Sequence, residues 1–262
     1  MFESLKIEIS GKIAHLILNR PQALNALNKQ VLKELVEACE YLNKQKEVRA
    51  VIIKGEGKCF SAGADLNESM DTKPEQSDWL ERREQGQLGY RMCEAVQNLK
   101  AVSIAQVHGF AIGGAFLLML ACDFRLVEES TFFSIPEVDL GIPLTWGGIP
   151  KLISEIGPLK TKELVMTCRR FDAKEAMKLG LLNHIFPKEM LEEESLNLAQ
   201  SLSEKPALAL LMTKEQIHAH ASQMTQSYLG SAEGDMLMSV LKDPESKAAA
   251  LSFLSRLKEK DK

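Results

Sequence analysis

Two small-residue stretches and one carboxylate have the residue types and spacing for chemistry. The longer stretch is Val107-His-Gly-Phe-Ala-Ile-Gly-Gly-Ala-Phe-Leu-Leu-Met-Leu-Ala-Cys-Asp123. Beyond Gly113-Gly114, the residues Ala115 to Cys122 carry no charge and no polar group except a thiol. A helix that is apolar on every side belongs in an interior. Glycines at its start let backbone or ligand come close with no Cβ in the way. The first amides of a helix have no partner within it and carry the positive end of its dipole. At the floor of a pocket they would hold an anion or a developing oxyanion. A buried helix packed closely on a strand, with glycines for clearance, explains the same residues. The shorter stretch, Phe60-Ser-Ala-Gly-Ala-Asp-Leu66, follows a strand and can present consecutive amides as a second donor site. Its plainer reading is a turn with Gly63 left-handed. The carboxylate is Glu137, in the loop Ile135 to Gly148 among Ile135, Pro136, Val138 and Leu140. Apolar surroundings raise a carboxyl pKa and suit it to proton transfer near neutrality. Otherwise it would simply accept backbone amides.

The flanking patterns describe what must position these groups. Ile7 to Ile9 and Ile13 to Leu18 read as a hairpin around Gly11, stopped by Asn19-Arg20-Pro21. Asn28 to Gln45 has helical spacing, and the β-branched run Val48 to Lys54 is a strand. Asn67 to Gln87 is polar, with no readable element. Met92 to Leu99 is helical and Ala101 to Val107 a buried strand. Asp123 to Val127 and Thr131 to Ser134 are two more strands, with Glu128 and Glu129 in a solvated turn between them. Ile149 to Cys168 is helical. Asp172-Ala-Lys-Glu175 resembles a capping box, opening a helix that Gly180 closes. Leu181 to Phe186 is a strand, and from Lys188 onward the chain is helical with breaks at Pro206 and Pro244. Alternating strands and helices predict an α/β fold. The division falls at a core over 1–200 and a helical C-terminal region over 201–262.

Composition removes several classes. A net charge of −4 with scattered lysines and arginines gives no electrostatic case for nucleic acid or a membrane surface. No apolar run approaches the ~18 residues of a membrane span. The first residues lack a signal-peptide core or an arginine-rich transit pattern, and five cysteines without framework spacing look like reduced thiols. These features predict a soluble, cytoplasmic protein. The histidines form no metal-ligand cluster, so no metal is expected. Gly55-x-Gly57 fails as a dinucleotide fingerprint because Phe60 occupies the third glycine position. No Gly-x-Ser-x-Gly supports a serine hydrolase, and His108 is expected to be structural.

Taken together, Leu18-Asn-Arg-Pro21, Asn25-Ala-Leu27, Phe60 to Leu66, His108 to Gly114, Cys122-Asp123, Pro136-Glu137 and Leu140-Gly141 resemble the crotonase (enoyl-CoA hydratase/isomerase) superfamily. Phe171-Asp-Ala-Lys-Glu-Ala176, Leu179-Gly-Leu181 and Pro187 continue the likeness in the same order. The resemblance implies a crotonase-like spiral of ββα turns with a helical C-terminal trimerisation region. It also implies an acyl-CoA thioester as substrate, with coenzyme A present only as part of it and no separate cofactor, and a homotrimer or hexamer. Ala64 and Gly114 match the family's two oxyanion-hole amides. Glu137 matches one of two catalytic glutamates of the hydratases. Ala62, Asp65 and Leu66 fall where the family lines the CoA and acyl site. The position of the other glutamate, three residues after Gly114, is Leu117, and Thr145 stands where some dienoyl-CoA isomerases carry a third acid. Trp146 is a candidate acyl-pocket residue.

The departure at Leu117 bears on the reaction. Hydration is helped by two acid/base groups, whereas moving a double bond needs only one base. Double-bond isomerisation from 3-enoyl- to 2-enoyl-CoA is therefore the expected activity. Enoyl-CoA hydration by Glu137 alone, decarboxylation of a malonyl-type thioester and non-catalytic acyl-CoA binding are the alternatives.

Overall fold

The structure is a computed structural model and describes residues 2–69, 78–224 and 232–260. The chain opens with β1 (Leu5–Ser10) and β2 (Ile13–Leu18), antiparallel around Gly11, and then α1 (Lys29–Lys44). The Asn28 side chain caps α1 by accepting the Val31 N–H at 2.9 Å. Next come β3 (Ala50–Gly55), α2 (Leu66–Ser69), α3 (Trp79–Gly86) and α4 (Leu88–Gln97). The central stretch forms β4 (Val102–Val107), β5 (Phe110–Ile112) and α5 (Gly114–Leu120). It is followed by β6 (Phe124–Glu128), β7 (Phe132–Ser134) and α6 (Gly148–Thr167). The chain closes with β8 (Phe171–Asp172), α7 (Ala173–Lys178), β9 (His184–Phe186), α8 (Lys188–Ser203), α9 (Ala207–Met224), α10 (Glu233–Val240) and α11 (Pro244–Lys260).

The strands build two sheets, one of order β1-β2-β3-β4-β6-β9 and one of order β5-β7-β8. From β2 onward, neighbours in the larger sheet are parallel. Successive turns have the same form. In the turns of β4 and β6, a first strand joins the larger sheet, a second joins the smaller one, and a helix follows. The expected spiral of ββα turns is therefore present. Valine and isoleucine dominate β3, which is buried on both faces, as a central parallel strand requires. One face packs on α1, α4 and α5; the other packs on α8 through Leu191 and Ala199. Phe116 of α5 meets Phe133 and Phe171 of the small sheet edge-on, with ring centroids 5.6 and 5.7 Å away. Those contacts fix α5 where the two sheets meet.

Two expectations need correction. The polar stretch 67–87 holds an element after all: α3, capped by the Asp78 carboxylate, which accepts the Leu80 and Glu81 N–H groups at 2.8 and 2.9 Å. Asp78 with Glu81 three residues on is a capping signal, but few apolar residues follow to mark a helical face. The part of that stretch over 70–77 lies outside the described residues. Glu128 is not in the solvated turn. It closes β6 at 8% exposure and accepts the Ser130 hydroxyl at 2.6 Å, while Glu129 is exposed. Pairing of β6 with β9, made by a segment nearly sixty residues later, covers it.

The C-terminal helices are tied to the core by a buried ion pair. Lys214 of α9 reaches Asp123 Oδ2 at 2.6 Å and Ala101 O at 3.0 Å, and His218 Nε2 lies 3.2 Å from Asp123 Oδ1. No helix among the described residues is long and apolar enough to cross a membrane.

Candidate active site

The loop after β3 is shaped by polar side chains that the sequence carries upstream. Asn25 is buried; its side-chain amide donates to Glu56 O at 2.8 Å and Cys59 O at 3.0 Å, and its side-chain oxygen accepts the Arg20 N–H at 3.0 Å. The Arg20 guanidinium donates to Ala26 O at 2.6 Å and Asp65 Oδ2 at 3.2 Å. The Ser61 hydroxyl donates to Asn25 O at 2.7 Å and accepts the Gly63 N–H at 3.1 Å. Leu27 N–H donates to Gly63 O at 2.7 Å, and Asp65 N–H donates to Leu27 O at 3.1 Å. This parallel bridge uses the groups on either side of Ala64 and turns the Ala64 amide away from Leu27.

The loop packs against the start of α5. Gly63 has φ +84°, and a Cβ there would overlap Ile112 O and lie 3.4 Å from Gly114 N. Gly113, at φ +51°, donates its N–H to Ser134 O at 2.9 Å, and Gly114 is the first residue of α5. Among the described residues, neither the Ala64 nor the Gly114 N–H has a hydrogen-bond partner. Two donors with no partner among the described residues, one from each small-residue stretch, thus lie where the loop meets α5.

Glu137 lies against the same spot. A Cβ on Gly113 would come 2.6 Å from its Oε1. Part of the residue meets solvent, but Oε2 is shielded and has no hydrogen-bond partner among the described residues. Burial pushes the carboxyl up to about 7, with its own main-chain amide pulling weakly the other way.

Apolar groups make the rest of the wall. Leu117, at 4% exposure, points its methyl groups at Gly148, where a Cβ would lie 2.7 Å from Cδ2; Leu144 closes on the same glycine. Thr145 is buried and contributes its carbonyl to the Gly148 N–H at 3.1 Å. Trp146 lies over Gly114, whose absent Cβ would overlap the six-membered ring. Ala62, Asp65 and Leu66 continue along the loop of Ala64, partly exposed. Asp65 spends its carboxylate on Arg20, so its visible contribution is to hold the loop.

Ala64, Gly114, Glu137, Leu117 and Trp146 therefore come together. His108 is set aside, with Nε2 3.0 Å from Gly57 O. Cys59 is buried, and loss of solvation pushes its thiol up to about 11, which leaves it inert at neutral pH. No group of three or more metal-ligating side chains occurs among the described residues. Sequence reasoning missed Arg20, Asn25 and Ser61 as the brace of the loop, although their polar types at its edge are the signal. It also missed Glu233 of α10, which accepts the Gly147 N–H at 2.8 Å; nothing in the spacing links those two positions.

The chain is similar to known proteins along nearly its whole length. A family model described as enoyl-CoA hydratase/isomerase matches residues 8–261. A probable enoyl-CoA hydratase of Rhizobium meliloti is 32% identical over 98% of this chain and 97% of its own. A peroxisomal Delta(3,5)-Delta(2,4)-dienoyl-CoA isomerase of Arabidopsis thaliana is 34% identical over 81% of this chain and 79% of its own. A solved enoyl-CoA hydratase of Bacillus halodurans superposes with a TM-score of 0.87 at 26% identity, covering 95% of this chain and all of that one. The chain belongs to the enoyl-CoA hydratase/isomerase family of enzymes.

Proposed function

We propose that the protein isomerises enoyl-CoA thioesters, moving a double bond from the 3- to the 2-position. The thioester oxygen is held between the N–H groups of Ala64 and Gly114. Glu137 takes a proton from C2; the C–H electrons pass into the dienolate, whose oxygen the two amides stabilise. The same carboxyl then returns the proton at C4, leaving the double bond between C2 and C3. One preorganised donor of this kind is worth about 3 kcal/mol in other enzymes. A carboxyl raised to about 7 is a base matched to neutral pH.

The single observation that carries this reading is that Glu137 is the one carboxylate against this spot among the described residues. Position 117, one helical turn beyond Gly114, is a leucine sealed against Gly148 and Leu144, so no second acid can orient water there. Hydration by Glu137 alone is the second reading, because relatives named hydratases match nearly the whole chain. Ala62, Asp65 and Leu66 are assigned to the CoA side of the site, and Leu117, Thr145 and Trp146 to the acyl side. Coenzyme A as part of the substrate is the only cofactor chemistry this mechanism needs. The C-terminal helices are assigned to a homotrimer or hexamer, in the cytoplasm.

Incubation with 3-enoyl- and 2-enoyl-CoA panels in deuterated water, read by mass spectrometry, separates the two reactions. Isomerisation converts 3-enoyl esters to 2-enoyl esters with at most solvent deuterium gained. Products heavier by one water, made faster than the isomer, would replace this reading with hydration.

A further inference from the structure

Trp146 stands in an unusual place for a large side chain. Its backbone is left-handed, at φ 60°, a conformation that strains a non-glycine residue. The indole fills the gap between two helices. On one side a Cβ at Gly114 of α5 would overlap its six-membered ring; on the other a Cβ at Gly89 of α4 would overlap the ring fusion and Nε1. Both helices present glycine where the ring needs room. The backbone is held from outside: the buried Glu233 carboxylate of α10 accepts the Gly147 N–H at 2.8 Å and receives the Trp146 amide as well.

The ring therefore rests on Gly114, assigned above to the thioester oxygen, next to Gly113, against which Glu137 lies. On the acyl-CoA reading, an acyl chain held at Gly114 and Glu137 lies beside this ring. We propose that Trp146 is the depth stop of the acyl pocket, restricting the enzyme to short-chain thioesters, and that Glu233 is the positioning residue that holds the stop in place. This rests on the acyl-CoA reading above. Gly89 and Gly114, which have no side chains, cannot refill the space that the indole leaves.

The test is binding of saturated butanoyl-, octanoyl- and dodecanoyl-CoA, by calorimetry, to the wild type and to Trp146→Ala, Trp146→Phe and Glu233→Gln. Saturated esters report the pocket without turnover. Wild-type affinity is expected to stop rising beyond the short ester. Trp146→Ala should then gain about fourfold per added methylene until the opened channel is full, as burial of CH₂ groups dictates. Trp146→Phe should gain less, and it decides the matter if the alanine variant does not fold. Glu233→Gln keeps a hydrogen-bond acceptor but loses the charge, and should loosen the chain-length cut-off without abolishing butanoyl-CoA binding. An identical chain-length profile in the wild type and the Trp146 variants overturns the depth stop. A wild type that binds none of the three esters overturns the acyl-CoA reading itself, a different result.

Discussion

Asp123 and Glu137 are both shielded carboxylates beside a short strand of the same spiral, yet their surroundings drive them in opposite directions. Burial pushes both up. At Asp123 it is outweighed by the His218 hydrogen bond, the Lys214 charge and the Ser103 amide, which hold the carboxyl below its ordinary range. Glu137 has no such partners, so burial prevails and its pKa rises to about 7. Four donors, two of them from α9, make Asp123 a fixed charge that anchors the C-terminal helices. A shielded oxygen without a partner makes Glu137 a group that can take a proton and give it back. One chemical group is thus held in two states, and the difference is made by the neighbours rather than by depth.

The contrast is broken most severely by removing the function on one side. Glu137→Gln should lower isomerase turnover by about 10²- to 10⁴-fold, the usual contribution of a positioned acid/base group, while leaving CoA-ester binding intact. Steady-state rates against affinity decide it, and unchanged turnover would retire Glu137 as the base. On the other side, Lys214→Met should destabilise the fold by about 3–5 kcal/mol, because it strands a buried carboxylate. Chemical denaturation measures that; a loss under about 1 kcal/mol would mean that Asp123 is satisfied without it.

Making the second region resemble a two-acid site is a smaller step. Leu117→Glu should cost about 2–4 kcal/mol of stability, since it buries a charge where methyl groups pack on Gly148, and should add 3-hydroxyacyl-CoA to the products. Product analysis with 2-enoyl-CoA, on material shown to be folded, tests the gain. The smallest effect is in the pH dependence of stability. Because the folded pKa of Glu137 is raised, ionising it costs stability, and the cost appears as pH climbs from the ordinary carboxylate range through about 7. Glu137→Gln should therefore be more stable than the wild type by roughly 1–3 kcal/mol at pH 8, and nearly equal to it at pH 4. The lowered Asp123 has the opposite sign: its contribution is present above the ordinary range and disappears as pH falls through its depressed value. Thermal melts across pH expose both, and activity should rise with the deprotonation of Glu137 around neutral pH.

Much of this was legible in the chain itself. Apolar periodicity marked α1, α4 and α5, and β-branched runs marked β3 and β4, because burial demands those residue types at those spacings. The glycines before α5 and the small residues around Gly63 marked the two stretches that the fold brings together. What stayed hidden was short or distant. The strand β5 was not anticipated, since three residues show no period and their partner β7 lies well downstream. Glu128 looked solvated until β9 covered it.

Residue types alone thus determined which groups were available: a greasy helix headed by glycines, a loop of small residues, and one glutamate with leucine where a second acid would stand. Only the tertiary structure decided their use. It brought the loop of Ala64 against the start of α5, left the Glu137 Oε2 without a partner among the described residues while surrounding Asp123 with donors, and slid Trp146 between Gly89 and Gly114 under a carboxylate from α10. The physical reason is that donor direction and desolvation depend on what lies across space, which local spacing along a chain does not encode.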